Sequence, residues 1–252
     1  MKSTILKLAV SAALVTGASP AFADLIYQTG VQQTGTGLGA VSTVVTVQNN
    51  GPRNDIESGC VRHTNGGNMT NPDQTCEASV MPNLEGGDNT GAVGGNGVYL
   101  LSDIDGITSA GELGFVVNIS EPGVDTATLT DLYMALYALD GTLLQTFSYT
   151  GPDLILTDTG GIGQSGLHRF VLDDAQAALA VAACGDLTQC VVGGGVQFAA
   201  NTTQGTPETV RVGAFDRDDP GNPGEVPEPG SIALLGLGAL GMGALRRRYA
   251  KK

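Results

Sequence analysis

Residues 129–149 read LTDLYMALYALDGTLLQTFSY, and this stretch decides the fold class. Residues 129–139 form a long apolar run rich in Tyr and Leu. Asp140-Gly141 then joins it to a returning run, TLLQTFSY, at 142–149. An Asp-Gly pair between two such runs marks a β-hairpin, because a two-residue turn that matches strand twist needs φ > 0 at both central positions. In the returning strand Leu143, Phe147 and Tyr149 share one face, with Gln145 interrupting.

The neighbouring segments read the same way. Residues 41–48 (VSTVVTVQ) are β-branched and end in the turn cluster Asn49-Asn50-Gly51-Pro52. Residues 113–119 (LGFVVNI) are closed by Glu121-Pro122-Gly123. Further strands are expected at 98–101, 167–172, 191–199 and 209–215. One helix is expected over AQAALAVAA (175–183), with Asp173 or Asp174 as its cap. Turn signals recur at the spacing of a sandwich, and no repeat of fixed period is present. The expected fold is all-β: an antiparallel β-sandwich, jelly-roll-like, with one short helix.

Composition agrees. Gly accounts for 38 of 252 residues, and each costs about 1 kcal/mol inside a helix, which excludes bundles and coiled coils. An apolar fraction of 41% excludes a wholly disordered chain. The formal charge is −13, which excludes a nucleic-acid partner, since phosphate binding needs clustered Lys and Arg.

The charge is unevenly placed, and the two ends explain why. Residues 1–23 carry Lys2 and Lys7, an apolar stretch from Leu8 to Val15, the breakers Gly17 and Pro20, and Ala21-Phe22-Ala23. That order is a secretory signal peptide, handled by the Sec translocon and signal peptidase, with cleavage between Ala23 and Asp24. Its apolar stretch falls short of the roughly 20 residues that span a bilayer.

At the other end, Pro227-Glu228-Pro229 precedes an uninterrupted apolar and Gly run, IALLGLGALGMGAL (232–245), and then Arg246, Arg247 and Arg248. At about 1.5 Å per residue the run reaches only about 21 Å as a helix. The hydrocarbon core is about 30 Å thick, so the run reads as a brief stop in the membrane rather than a permanent anchor. The basic cluster stays on the cytoplasmic side.

The combination of triplet, transmembrane helix and Arg cluster over residues 227–252 resembles the PEP-CTERM sorting signal of exported proteins from Gram-negative, exopolysaccharide-making bacteria. The same tail is also described as the C-terminal domain of ice-binding proteins, which characterises the tail and not the domain before it. The resemblance implies that a membrane-embedded exosortase recognises Pro227, Glu228 and Pro229 and removes the tail. The product would pass through an inner-membrane intermediate to the cell surface or the extracellular matrix.

Between the ends lies a domain at 24–215, followed by a Pro-rich linker at 216–226. Residues 51–97 stand apart as a Gly/Asn-rich stapled loop region. Residues 24–222 hold five arginines, no lysine and 23 acids, a net charge near −18. Such a surface favours divalent counterions. Asp216, Asp218 and Asp219 are the densest candidate ligands for a structural Ca²⁺, against the alternative of solvated turn residues. Asp103-Ile104-Asp105-Gly106 resembles part of a calcium loop but lacks its remaining ligands.

Four cysteines in an oxidising compartment imply disulfides, and proximity favours Cys60–Cys76 and Cys184–Cys190. Zinc spacing is not present. Two histidines, His63 and His168, lack a hydrolase constellation. Gly163-Gln164-Ser165-Gly166 is not a nucleophile elbow, because residue 167 is Leu. The acid pairs Asp103/Asp105 and Asp173/Asp174 do not by spacing define a glycosidase pair. Asn-x-Ser/Thr at Asn68, Asn118 and Asn201 carries little weight in such a bacterium.

The expected function is therefore a non-enzymatic exported protein of the cell surface or exopolysaccharide matrix. A carbohydrate-binding module is the first alternative. Ice binding ranks below it for want of a regular Thr array, and a secreted hydrolase is the second alternative.

Overall fold

The computed structural model describes residues 25–28, 42–48, 56–77, 86–91, 95–119, 126–157, 167–203 and 207–215. The signal peptide, the linker at 216–226, the Pro-Glu-Pro triplet and the apolar run at 232–245 lie outside these residues.

The strands are β1 (Leu25–Gln28), β2 (Thr43–Val47), β3 (Glu57–Val61), β4 (Tyr99–Leu100), β5 (Leu113–Asn118), β6 (Thr126–Ala138), β7 (Leu143–Ser148), β8 (Leu154–Thr157), β9 (Leu167–Leu172), β10 (Cys190–Phe198) and β11 (Glu208–Ala214). One helix, α1 (Asp174–Ala183), precedes β10. The strands form two antiparallel sheets. One has the order β1-β9-β5-β11-β2; the other is β3-β10-β6-β7, with β4 beside β10 and β8 beside β6. One buried apolar cluster draws Phe115, Phe170 and Val210 from the first sheet and Met134, Val196 and Phe198 from the second.

The apolar run that opened the sequence becomes β6, buried on both faces from Leu132 to Tyr137. This is why it does not alternate: a strand covered on both sides reads as a continuous apolar run. The partner strand β10 makes this possible through Gly193, Gly194 and Gly195. A Cβ at Gly194 would sit 2.9 Å from the Phe115 ring, which comes from the other sheet. On the opposite face, a Cβ at Gly195 would sit 2.5 Å from the Tyr133 ring and 2.7 Å from the Cys60 sulfur. Register places Gly195 opposite Tyr133 and Gly193 opposite Ala135. Side chains thus press on β10 from both sides where it has none of its own.

The β6–β7 turn differs from the expected two-residue form. The Ala138 carbonyl accepts from the Gly141 N–H, and the Ala138 N–H donates to the Thr142 carbonyl, both at 2.9 Å. Only Gly141 has positive φ, at +84°. The loop is therefore three residues, 139–141, with glycine at the left-handed position. A residue with a Cβ there would also strike the backbone of Thr64 and Asn65.

The stretch 51–97 is not a loop set apart from the sheets. Its residues 57–61 form β3, wholly buried and paired with β10. Its Asn-rich part closes the side of the molecule where edge strands β2 and β3 approach. The Asn89 side chain accepts from the Cys60 N–H and donates to the Cys60 carbonyl, at 3.1 and 3.0 Å. Asn96 accepts from the Thr46 N–H at 2.9 Å. Side-chain amides here do the pairing that a further strand would do, which blunts two exposed edges. The expected strand at 98–101 shortens to β4, because Leu101–Asp103 turn into a 3-10 helix.

α1 begins as expected, and Asp173 is its cap. The Asp173 carboxylate accepts from the Gln176 N–H at 2.6 Å, while the Gln176 side chain accepts from the Asp173 N–H at 2.8 Å. This reciprocal arrangement satisfies two end groups of the helix. Cys184–Cys190 then ties the end of α1 to the start of β10.

Gly194→Ala is expected to destabilise the domain by about 1–3 kcal/mol, since an added methyl in a filled layer forces side chains off their positions. Gly91→Ala, where a Cβ meets nothing within 4 Å, should be neutral. Urea midpoints of the two variants check this. Equal midpoints would show that β10 is not pressed from both sides.

Candidate functional site

Two layers outside the shared core carry polar side chains. The first lies on the outer face of the β3-β10-β6-β7 sheet, beneath residues 62–77. Cys60–Cys76 staples this segment down. Tyr133 and Tyr137 are fully buried under it. The Tyr137 hydroxyl donates to the Glu77 carboxylate, and the Glu77 N–H donates to the Tyr133 hydroxyl, both at 3.3 Å. His63 is buried, and its Nε2 lies 2.9 Å from the Leu139 carbonyl at the hairpin tip. Arg62 and Asp73 pair at 2.8 Å near the rim. Partial burial works to raise the Asp73 pKa, but hydrogen bonds from Arg62 and Thr75 outweigh it and hold the carboxyl below its usual range. Burial pushes the Tyr133 phenol up to about 12. The Tyr137 phenol is raised as well, by burial first and then by Tyr133 and Glu77 beside it.

The second layer is the outer face of the five-stranded sheet. Register sets one row across it: Gln28, Arg169, Val116, Arg211 and Thr43, one residue from each strand. The row on one side of it is Leu167, Asn118, Thr209 and Thr46; on the other side lie Ile26, Val171, Gly114 and Gly213. Phe215 turns its ring over Gly114 and Gly213, where the added Cβ atoms would lie 2.5 and 3.2 Å from it. The Arg169 guanidinium stands 4.7 Å from the centre of the same ring, a cation–π contact. Arg169 and Arg211 are two strand spacings apart, about 10 Å. Burial lowers the Arg211 pKa. Guanidinium, amide and hydroxyl groups on a flat face can bind an anionic or hydroxyl-rich group.

The residues singled out in the sequence fall in different places. Both expected disulfides are present. Cys60 is a buried strand residue rather than part of a surface loop. His168 sits on the inner face of β9, with Nδ1 2.9 Å from the Tyr27 hydroxyl and Nε2 3.1 Å from the Thr157 carbonyl. It does not meet His63. Asp103 and Asp105 are exposed on one turn. Among the described residues no three His, Cys, Asp or Glu side chains are placed to hold a metal. Ala23, Asp24, Ser165, Asp216, Asp218, Asp219, Pro227, Glu228, Pro229, Arg246, Arg247 and Arg248 lie outside the described residues. The Arg169–Arg211 row escaped the sequence reading. Its signal was that two of only five arginines in residues 24–222 fall in strands.

The comparisons with known proteins speak to the tail. Residues 225–248 match the family model of the PEP-CTERM protein-sorting motif. The chain thus carries this motif, which indicates a secreted protein that passes the membrane and is sorted by an exosortase. No curated protein and no solved structure matches the chain.

The two enclosed phenols make stability fall in alkali. Each keeps its proton in the folded state above pH 10, where an unfolded tyrosine loses it. Their contribution is complete below about pH 10 and lost as the pH rises toward the Tyr133 value of about 12. Cys60→Ala/Cys76→Ala should cost about 3 kcal/mol for a loop of this size and bring both phenols toward ordinary titration. A near-UV absorbance titration checks this, and normal titration in the native wild type would refute the enclosed layer.

Proposed function

We propose that this protein is a non-enzymatic component of the cell surface or exopolysaccharide matrix of a Gram-negative bacterium. Its export rests on cleavage between Ala23 and Asp24 and on removal of the tail at Pro227-Glu228-Pro229. The observation that carries this reading is the sorting motif at 225–248, placed after a β-rich domain. The domain reads as a jelly-roll-like β-sandwich, in keeping with its two antiparallel sheets and their shared core.

Strand directions support the reading. Ile26, Val171, Gly114 and Gly213 share one row. β1 starts and β11 ends just beyond that row, so Leu25 and Ala214 leave the sheet at the same end. A domain with both chain ends at one end can fold while its tail is still held in a membrane. The covalent staples fit an oxidising compartment.

Intact-mass analysis of the secreted protein tests the proposal. The expected product starts at Asp24 and ends before Ile232. Replacing Pro227, Glu228 and Pro229 with alanine should leave the chain uncut and in the membrane fraction. A secreted product still carrying Arg246, Arg247 and Arg248 would overturn the processing reading.

A further inference from the structure

An Asn-Gly pair carries a latent reaction. The main-chain nitrogen that follows the asparagine can close a five-membered ring with the side-chain amide carbon, and glycine has no Cβ to block the approach. The sequence holds such pairs at Asn50-Gly51, Asn65-Gly66 and Asn96-Gly97. The first lies outside the described residues. The structure treats the other two in opposite ways.

Asn96 is pinned. Its side-chain oxygen accepts from the Thr46 N–H at 2.9 Å and from the Asn89 amide at 3.2 Å, and its own amide donates to the Thr90 carbonyl at 3.0 Å. The nitrogen that would attack is held as well. Gly97 is buried, and its N–H donates to the Val44 carbonyl at 3.0 Å. These contacts must open before side chain and main chain can meet.

Asn65 sits in the segment that covers Tyr133 and Tyr137, and it is not held in this way. Thr64-Asn65-Gly66-Gly67 is a β-turn closed by the Gly67 N–H donating to the Thr64 carbonyl at 2.8 Å. Gly66 has φ +71°, as the third position of a type II turn requires. Asn65 and Gly66 are exposed. Among the described residues, neither the Asn65 side chain nor the Gly66 N–H makes a hydrogen bond. Rotation of the 65–66 peptide brings the Gly66 nitrogen to the Asn65 side chain, and it disturbs only the turn's own bond.

We propose that Asn65 is a site of spontaneous covalent modification, deamidating through a cyclic imide. The Gly66 nitrogen bonds to Asn65 Cγ and gives up its proton. The bond from Cγ to the side-chain nitrogen breaks, and that nitrogen leaves with the proton as ammonia. Water then opens the ring, its hydroxyl going to a carbonyl carbon and its hydrogen to the ring nitrogen. Attack at Cγ leaves aspartate, and attack at the main-chain carbonyl leaves isoaspartate. Nothing is oxidised or reduced. The reaction needs only water, so it is independent of how the chain is sorted.

The isoaspartyl product has an extra carbon in the main chain of the turn. The Gly67 N–H then no longer faces the Thr64 carbonyl at turn spacing. Gly141 at the hairpin tip is the neighbour that feels this, since a Cβ on it would lie 2.5 Å from the Asn65 nitrogen. The modification therefore loosens the contact between hairpin tip and cover.

The test uses the whole protein with its disulfides intact, aged in mildly alkaline buffer and sampled over time. Digestion with pepsin in acid, where the imide forms slowly, is followed by chromatography and mass spectrometry. These separate the asparaginyl, aspartyl and isoaspartyl forms of each site. Every hydrogen bond that must open first slows ring closure by about two- to ten-fold. Asn65 should therefore react at least about ten-fold faster than Asn96 in the folded protein. In urea with the disulfides reduced, the two rates should converge, because glycine follows both. Equal rates in the folded protein, a faster Asn96, or an Asn65 that stays intact would each overturn the proposal. Asn65→Gln would have to close a six-membered ring and should abolish the fast reaction; a fast product that persists in this variant would also overturn it. The isoaspartyl fraction should have a lower urea midpoint than Asn65→Asp, which carries the charge without the added main-chain carbon. Equal midpoints would sink the effect on the hairpin tip.

Discussion

The absence of side chains at Gly193, Gly194 and Gly195 is the constraint on which the rest of this structure depends. In the middle of β10 the chain is thinned to bare backbone, and aromatic rings move in from both directions. Phe115 reaches across from the other sheet to Gly194, and Tyr133 closes on Gly195 from outside. Glycine inside a strand ordinarily weakens it, through lost packing and greater unfolded-state freedom. Here the lost packing is returned by rings that could not otherwise fit. The outer tyrosine layer exists because of this, and so does the need for something to cover it.

That cover is the segment after β3. It is held at its far end by Cys60–Cys76 and along its length by Arg62 with Asp73, His63 with Leu139, and Glu77 with the two phenols. The polar contacts sit where the tyrosine hydroxyls would otherwise be buried without partners. A domain of this size with few large aromatic residues thus builds a second, smaller packed layer outside its main core. A disulfide does there what further apolar area would do in a protein richer in Leu and Phe. The close approach of Gly141 to Thr64 and Asn65 locks the hairpin tip onto the same layer.

The parts of this molecule that were legible in the sequence are those fixed by neighbours in the chain. The 129–149 hairpin, the cap of α1, the pairing of the two nearby cysteine pairs and the tail motif all rest on short-range chemistry. β3 was not legible, because Glu57-Ser58-Gly59-Cys60-Val61 has neither alternation nor β-branched enrichment. It is a strand because β10 and the Asn89 side chain pair with its backbone. The turn type at Asp140-Gly141 depended on the ladder, which runs to Ala138 and Thr142 and adds Leu139 to the loop. The arginine row could not be seen for a related reason. Arg169 and Arg211 are 42 positions apart in sequence, and only the strand order β9-β5-β11 brings them to one face.

The shared exit of β1 and β11 gives the molecule two poles. One carries Leu25 at the start of β1, Ala214 and Phe215 at the end of β11, and the start of α1. The other carries Val47, Asn118 and Glu208 at the far ends of their strands. A tether that leaves from the first pole puts Phe215 and the start of α1 nearest to it and the second pole farthest away.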